Sequence, residues 1–369
     1  MTSATKMPVF LACPPGLEKT LQAETRRLGW KKARSTPGGV EFFGDWTDVW
    51  RANLELRGAT RVLVRIGSFS AIHLSELDKR ARKFAWGNVL RADVPVRVEA
   101  DCKRSKIYHE GAAKERVERA ITEELGAPIS ADALVTVRVR IENNQVTLSI
   151  DSSGELLHKR GHKAAVGKAP MRETLAALFL QECGFDGSQP IYDPVCGSGT
   201  FVIEAAEMAL GLQAGRAREF AFEHLATFDA EKFAELKSDS QESTDLQFYG
   251  SDRNAGAIEN ARANAARAGV SDICVFRQAA ISDIECPDGP AGIVIVNPPY
   301  GSRIGDKKQL FGLYAAMGKR LKEAFKGWTV GIITTDADLA RATGLPDLQN
   351  GPPIPHGGLK VKLFQAGPL

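Results

Sequence analysis

Residues 190–210 read PIYDPVCGSGTFVIEAAEMAL, the residue order of a short strand, a glycine turn and a helix. Pro190–Tyr192 is the expected strand. Beyond the turn, apolar residues run from Phe201 towards Leu210, and a helix is expected from about Gly199 to Leu210. Glycines at 197 and 199 let the backbone turn sharply and approach a ligand closely, while the helix start offers unpaired N–H groups. On its own a GxG serves NAD, a nucleotide or merely a tight turn, so its neighbours must decide.

Downstream, strands and helices alternate. The expected order is strand Leu246–Gly250, helix Ala255–Ala268, strand Ile273–Gln278, the very apolar strand Gly292–Val296, helix Leu310–Phe325 and strand Thr329–Thr334. That alternation predicts an α/β fold, a mostly parallel, doubly wound sheet. A long insertion, Gly211–Asp245, interrupts it. Upstream, MRETLAALFLQECG begins just after Pro170 and stops at Gly184, which frames a further helix.

Before residue 158 the pattern is different. Val40–Phe43, Arg61–Ser68, Val94–Ala100, Val135–Ile141 and Gln145–Ile150 read as strands, with Asn143-Asn144 as a hairpin turn between the last two. Glu18–Leu28, Leu74–Phe84 and Glu110–Leu125 have helical spacing, so this region is expected to be α+β.

Charge divides along the same line. The chain's net charge is +3, yet residues 1–170 carry 29 Lys and Arg against 20 Asp and Glu, and residues 171–369 carry 19 against 25. The basic half is the candidate polyanion binder, against the alternative of lysines that only face water. Cys13, Cys102, Cys183, Cys196, Cys274 and Cys286 are scattered without a CxxC or Cys/His cluster, so no metal site and no disulfide framework are expected. His158, His162 and His224 fit no ligand spacing and are expected in loops or at the surface. Trp30, Trp46, Trp50, Trp86 and Trp328 are expected to pack in cores. The first residues lack a basic segment followed by an apolar run, and no stretch reaches about 18 apolar residues, so a cytoplasmic protein with no membrane contact is expected.

Two further motifs carry chemistry. Asp252 ends the second strand of the alternating region, where a carboxylate can accept hydrogen bonds from ribose hydroxyls; it can equally cap the next helix, a role also open to Asn254. NPPYG, residues 297–301, follows the strand GIVIV directly. Two prolines cannot continue a sheet, so the chain must leave the strand at its carboxyl end, where open α/β sheets bind ligands. An exocyclic amine on a base is a poor nucleophile and must be aimed. The Asn297 oxygen and the Pro298 carbonyl can accept its two protons and hold the nitrogen about 3–3.5 Å from a methyl donor. Tyr300 can stack on the extruded base. No general base is evident.

These motifs, with CKRSKIYHEGAAKERV, KRGHK, APMRETLAALFL, GRAREFAFEHL, GSDRNAGAIENARANAARAGV and LYAAMGKRLKEAFKGWTVGIIT, resemble the bacterial THUMP-domain guanine-N2 methyltransferases of large-subunit (23S) ribosomal RNA, the RlmL-like group. The likeness covers nearly the whole chain. It implies a Rossmann-like methyltransferase domain that uses S-adenosylmethionine, preceded by an α+β RNA-binding region. The implied layout is a ferredoxin-like segment at 1–50, a THUMP domain at 51–155, a basic linker at 156–170 and the methyltransferase domain at 171–369.

By the same resemblance Asp193, Pro194, Cys196, Gly197, Ser198, Gly199 and Thr200 would hold the methionine part of the cofactor. Asp252 and Arg253 would hold the ribose, with Ala280 and Ile281 beside the adenine. Asn297, Pro298, Pro299 and Tyr300 would hold the target base. Lys103, Arg104, Lys106, Tyr108 and His109, with Ser105 among them, would contact RNA, and Lys159, Arg160 and Lys163 would assist. Ala280 departs from the family, whose members often carry an acidic residue there; Gln278, Ser282 or a backbone amide are the substitutes considered. Some relatives are fused to another methyltransferase domain, so one reaction is expected here; a monomer is expected as well. The rival readings are a transfer-RNA guanine or adenine-N6 methyltransferase and a non-catalytic RNA-binding protein.

Overall fold

The computed structural model describes residues 6–162, 171–238, 243–300 and 307–369. Their contacts divide the chain into two compact units. One holds the chain up to Cys13, Leu21–Leu157 and Gly215–Ser238; the other holds Pro14–Thr20, His158–Ala214 and the described residues after 238.

The first unit follows the order β1 (Met7–Ala12), α1 (Glu18–Arg27), β2 (Arg34–Thr36), β3 (Gly39–Gly44), α2 (Trp46–Glu55), β4 (Arg61–Ser70), α3 (Leu74–Arg82), β5 (Val96–Lys103), α4 (Glu110–Leu125), β6 (Val135–Glu142) and β7 (Gln145–Asp151). One seven-stranded sheet runs β2-β3-β1-β4-β7-β6-β5, antiparallel except for the β5–β6 pair. Its core face follows the period of two: Val9 and Leu11, Val62 and Val64, Val137, Val139 and Ile141, and Val146, Leu148 and Ile150 are all buried. Asn143 and Asn144 close the β6–β7 hairpin with φ of 51° and 62°, the left-handed backbone that a two-residue turn of this twist demands. The expected division at residue 50 falls inside α2, whose start is fixed by a capping box between Asp45 and Asp48. Strands from both sides of that division pair within the same sheet, β1 with β4.

The second correction concerns the insertion. Residues 215–238 were expected within the methyltransferase domain, yet they belong to the first unit. The cause is a cluster of rings: Phe222, Phe228 and Phe233, the last on α7 (Ala230–Leu236), pack around Trp50. Backbone bonds anchor the segment, from Gly215 N–H to Leu54 O (2.9 Å) and from Phe222 N–H to Ser152 O (3.0 Å).

The second unit continues with α5 (Glu173–Glu182), β8 (Ile191–Asp193), α6 (Thr200–Ala209), β9 (Phe248–Asp252), α8 (Ala255–Ala268), β10 (Cys274–Gln278), β11 (Ile293–Val296), α9 (Lys307–Ala324), β12 (Thr329–Thr334), α10 (Ala337–Ala342), β13 (Gln349–Asn350), β14 (Ile354–His356) and β15 (Leu359–Ala366). The sheet order is β10-β9-β8-β11-β12-β15-β13. Strands β10 to β12 are parallel and β15 closes antiparallel on β12. This is the doubly wound α/β arrangement the sequence predicts, and its order reverses between β8 and β11. Ligands of such sheets bind at the carboxyl ends beside that reversal. On one side Val294, Val296, Tyr314, Met317, Leu321, Phe325 and Trp328 form a buried apolar cluster. Trp30, Trp50 and Trp86 are also buried, as expected of core residues, whereas Trp46 is half-buried. No helix among the described residues is long and apolar enough to cross a membrane.

Candidate active site

Strands β8, β9 and β11 end side by side, and the three sequence motifs are the loops that leave them. After β8 the chain turns through Gly197 (φ +53°) and Gly199 (φ +85°) into α6. The turn is pinned to β9 at two points: Cys196 N–H donates to Ser251 O (2.9 Å), and Gly197 N–H donates to Asp252 Oδ2 (3.1 Å). The other Asp252 oxygen accepts from Asn254 N–H (2.9 Å). Helix α8 is capped by Asn254, whose side chain accepts from Gly256 N–H (3.0 Å), so Asp252 is not spent on capping. A Cβ built on Gly197 meets nothing within 4 Å, so the loop faces open space at that atom. At Gly250 the opposite holds: a Cβ there would lie 2.9 Å from Phe276 and 3.0 Å from Cys196, and only glycine lets the turn sit down on β9.

Asp193 and Asp252 flank this turn, and both are buried. Asp193 Oδ1 accepts from Val195 N–H (3.0 Å). Burial pushes its carboxyl up to about 8; the Val195 bond offsets part of that and the neighbouring Asp252 charge adds to it. Burial likewise raises the Cys196 thiol well above its ordinary value, so that sulfur is a packing group. The turn therefore lies between two buried acidic side chains, a setting for a ligand that carries an ammonium and hydroxyls.

The β11 loop supplies the other half. Pro298 and Pro299 end the strand, and Pro298 is buried. Asn297 Oδ1 is buried and has no hydrogen-bond partner among the described residues. Buried amide oxygens are nearly always satisfied, and this one, at the carboxyl end of a central strand, is able to accept a further hydrogen bond. Tyr314 from α9 places its hydroxyl 3.4 Å from the Pro299 carbonyl and supports the loop from below. Tyr300 is half-buried, and burial raises its hydroxyl. Gly301 lies outside the described residues.

Beyond β10, Ala279 N–H donates to Asp252 O (3.1 Å) and Ala280 O accepts from Asp283 N–H (2.9 Å), so this edge is shaped by backbone. Neither side-chain substitute for the missing acid is idle: Gln278 donates to Arg253 O (3.1 Å), and Ser282 donates to Asp283 (2.9 Å). Ile281 packs on the apolar cluster and Arg253 is exposed.

The basic candidates separate into kinds. Lys103, Arg104, Lys106 and Tyr108 share the exposed β5–α4 connection, with Tyr108 at 81% exposure. Lys103 lies 3.4 Å from Asp101, and Arg104, at φ +47°, pairs with Glu142. His109 caps α4 by accepting from Ala112 N–H (3.0 Å). Lys159 is exposed, and Lys163 lies outside the described residues. Arg160 is a correction: it is 2% exposed and its guanidinium pairs with Glu204 of α6 at 2.9 Å, so no phosphate can reach it. His162, expected in a loop or at the surface, is buried with Nδ1 3.8 Å from Glu207. Two polar residues escaped the sequence reading, Tyr314 and Asn264. Each stands on the buried face of its helix, and a polar side chain on an apolar stripe is the signal that marks them.

The family profile of the RMKL-like methyltransferase domain matches residues 160–351. The chain belongs to the RMKL-like methyltransferase family. A profile of the RlmL ferredoxin-like domain matches residues 8–63, past the expected end of that segment at residue 50. The ribosomal RNA large subunit methyltransferase K/L of Aliivibrio fischeri is 35% identical over 340 residues, covering 88% of this chain and 48% of that protein. The chain thus spans about half the length of the curated relatives of that name. A Synechocystis protein provisionally named RNA methyltransferase slr0064 is 30% identical and covers 98% of this chain and 97% of its own. Among solved structures, a Listeria monocytogenes protein whose description predicts an N6-adenine-specific DNA methylase superposes with TM-score 0.87 at 31% identity, over 98% and 96% of the two chains. SMU.472, provisionally called a methyltransferase and complexed with SAH, superposes with TM-score 0.85 at 28% identity over 99% and 98%. Membership in the RMKL-like family gives the open glycine turn and the orphan Asn297 acceptor a common reaction class, methyl transfer.

Proposed function

We propose that this chain transfers a methyl group from S-adenosylmethionine to the exocyclic N2 of a guanine in large-subunit ribosomal RNA. The single observation that carries the reading is the buried Asn297 Oδ1 at the end of β11, which has no hydrogen-bond partner among the described residues. The residues around the turn fit the cofactor: the space at Gly197 admits a close backbone contact, Asp193 suits an ammonium, and Asp252 suits ribose hydroxyls. Pro194, Cys196, Ser198, Gly199 and Thr200 shape that cradle, with Ala280 and Ile281 at the adenine edge. Bound there, the cofactor supplies an electrophilic methyl on a sulfonium.

Asn297 Oδ1 and the Pro298 carbonyl accept the amine protons and turn the nitrogen lone pair towards the donor, with Tyr300 against the base face. With the cofactor bound, its methyl would be the group this nitrogen takes up, and the two acceptors would hold the amine protons until one is released to water. RNA is engaged by the β5–α4 connection of the THUMP region, where Lys103, Arg104 and Lys106 meet phosphates and Tyr108 offers a face for stacking. A second reading, methylation of adenine N6, is favoured by the description of the Listeria protein, since an orphan acceptor serves either planar amine. Nucleoside mass spectrometry of ribosomal RNA methylated in vitro by the purified chain separates them. N2-methylguanosine in the large-subunit RNA is the expected product. N6-methyladenosine, or incorporation only into transfer RNA, would displace the guanine reading.

A further inference from the structure

The glycine turn is held from a third side that none of the three motifs contains. Asn264, on α8, is fully buried, and its Nδ2 donates to the Ser198 carbonyl at 3.0 Å, in the middle of the turn. Its Oδ1 accepts from Arg267 one turn along the same helix, and Arg267 Nε donates to the His162 carbonyl at 2.8 Å. The Asn264 amide is thus fixed at both ends, with its donor aimed at Ser198. Ser198 is the residue between the two glycines whose left-handed backbone shapes the cradle. A peptide between two glycines has little conformational preference of its own. The direction of its carbonyl must be imposed from outside, and the neighbouring Gly199 N–H is already engaged with Cys196 O (2.8 Å).

We propose that Asn264, aimed by Arg267, is a positioning residue for the cofactor: it sets the Ser198 carbonyl and so holds the Gly197 backbone open to the ligand. The inference rests on the methyl-transfer reading. Replacing Asn264 by Asp puts an oxygen against the Ser198 carbonyl and expels that peptide from its position, while Arg267 keeps its own contact. Replacing Arg267 by Met, on the exposed side of α8, removes the aim and spares the fold.

The test is calorimetric titration of the full chain with S-adenosylhomocysteine, paired with methylation rates over a range of S-adenosylmethionine. For both Asn264→Asp and Arg267→Met, the dissociation constant and the cofactor KM rise about tenfold or more, and kcat at saturating cofactor falls by much less. The double variant loses no more than the worse single variant, because the two residues act in series. Should Asn264→Asp fail to fold, Arg267→Met alone carries the test. Unchanged affinity in Arg267→Met overturns the proposal, as do additive losses or a fall in kcat with KM unmoved. A parent chain that binds no S-adenosylhomocysteine overturns the methyl-transfer reading itself and this inference with it; a binding parent beside an equally binding variant overturns only the inference.

Discussion

Asp193→Asn makes the chain more stable and less able to bind its cofactor. The side chain is 3% exposed, and burial raises its carboxyl to about 8 from 3.8 in the unfolded chain. A folded pKa above the unfolded one means that the folded state binds the proton more tightly. Stability contributed by that proton is therefore present below pH 4 and is lost as pH climbs to about 8. The loss has a slope of at most about 1.4 kcal/mol per pH unit. The full window would amount to roughly 6 kcal/mol, and relaxation around a buried charge reduces this to something on the order of 2–3 kcal/mol. Asparagine is isosteric, keeps the Oδ1 acceptor for the Val195 N–H and carries no charge to desolvate. Urea denaturation of parent and variant at pH 6 and pH 8 measures the difference. The variant is expected to be the more stable, by a margin larger at pH 8 than at pH 6. S-adenosylhomocysteine should raise the midpoint of the parent and barely move that of the variant. A variant less stable than the parent at pH 8, or a margin independent of pH, refutes the reasoning.

Two further outcomes follow from the placement of the basic residues. Arg160→Met takes a charged partner from the buried Glu204 and should cost more than about 1 kcal/mol in urea denaturation; a loss below about 1 kcal/mol would mean that the ion pair does not matter to the fold. Lys103→Ala with Lys106→Ala should weaken RNA binding and flatten the plot of log K against log salt by between one and two units, measured by fluorescence anisotropy; an unchanged slope would move RNA recognition away from the β5–α4 connection.

The parts of this molecule that were legible in the sequence are those governed by local rules. Alternating apolar residues placed β4, β6 and β7, and Asn143-Asn144 placed their hairpin, because a strand's period and a turn's dihedral angles are properties of a few consecutive residues. Helix α8 and strand β12 were expected with the bounds they have, since Asn254 and Gly269 mark one and a run of branched residues the other. The loops after β8, β9 and β11 were legible for a related reason: glycines, an acid and twin prolines at strand ends announce where a parallel sheet opens. What escaped depends on contacts distant in sequence. Residues 215–238 read as an insertion between β8 and β9, but three phenylalanines, Phe222, Phe228 and Phe233, find their partner at Trp50. Nothing within either segment encodes that pairing. Arg160 read as a phosphate ligand because KRGHK is basic and lacks periodicity; only the arrival of Glu204 from α6 turns it inward. Asn264 sits in an alanine-rich helix as an ordinary surface residue would, and its role depends on a carbonyl 66 residues away in sequence.

Single-turnover methylation by Asn297→Ala tests most directly whether the Asn297 side chain is the acceptor for the target amine. The variant should lose about a hundredfold or more in the rate of methyl transfer to RNA. Its affinity for S-adenosylhomocysteine should stay within about threefold of the parent. Transfer at more than about a tenth of the parent rate, or a collapse of cofactor binding in step with the rate, would contradict it.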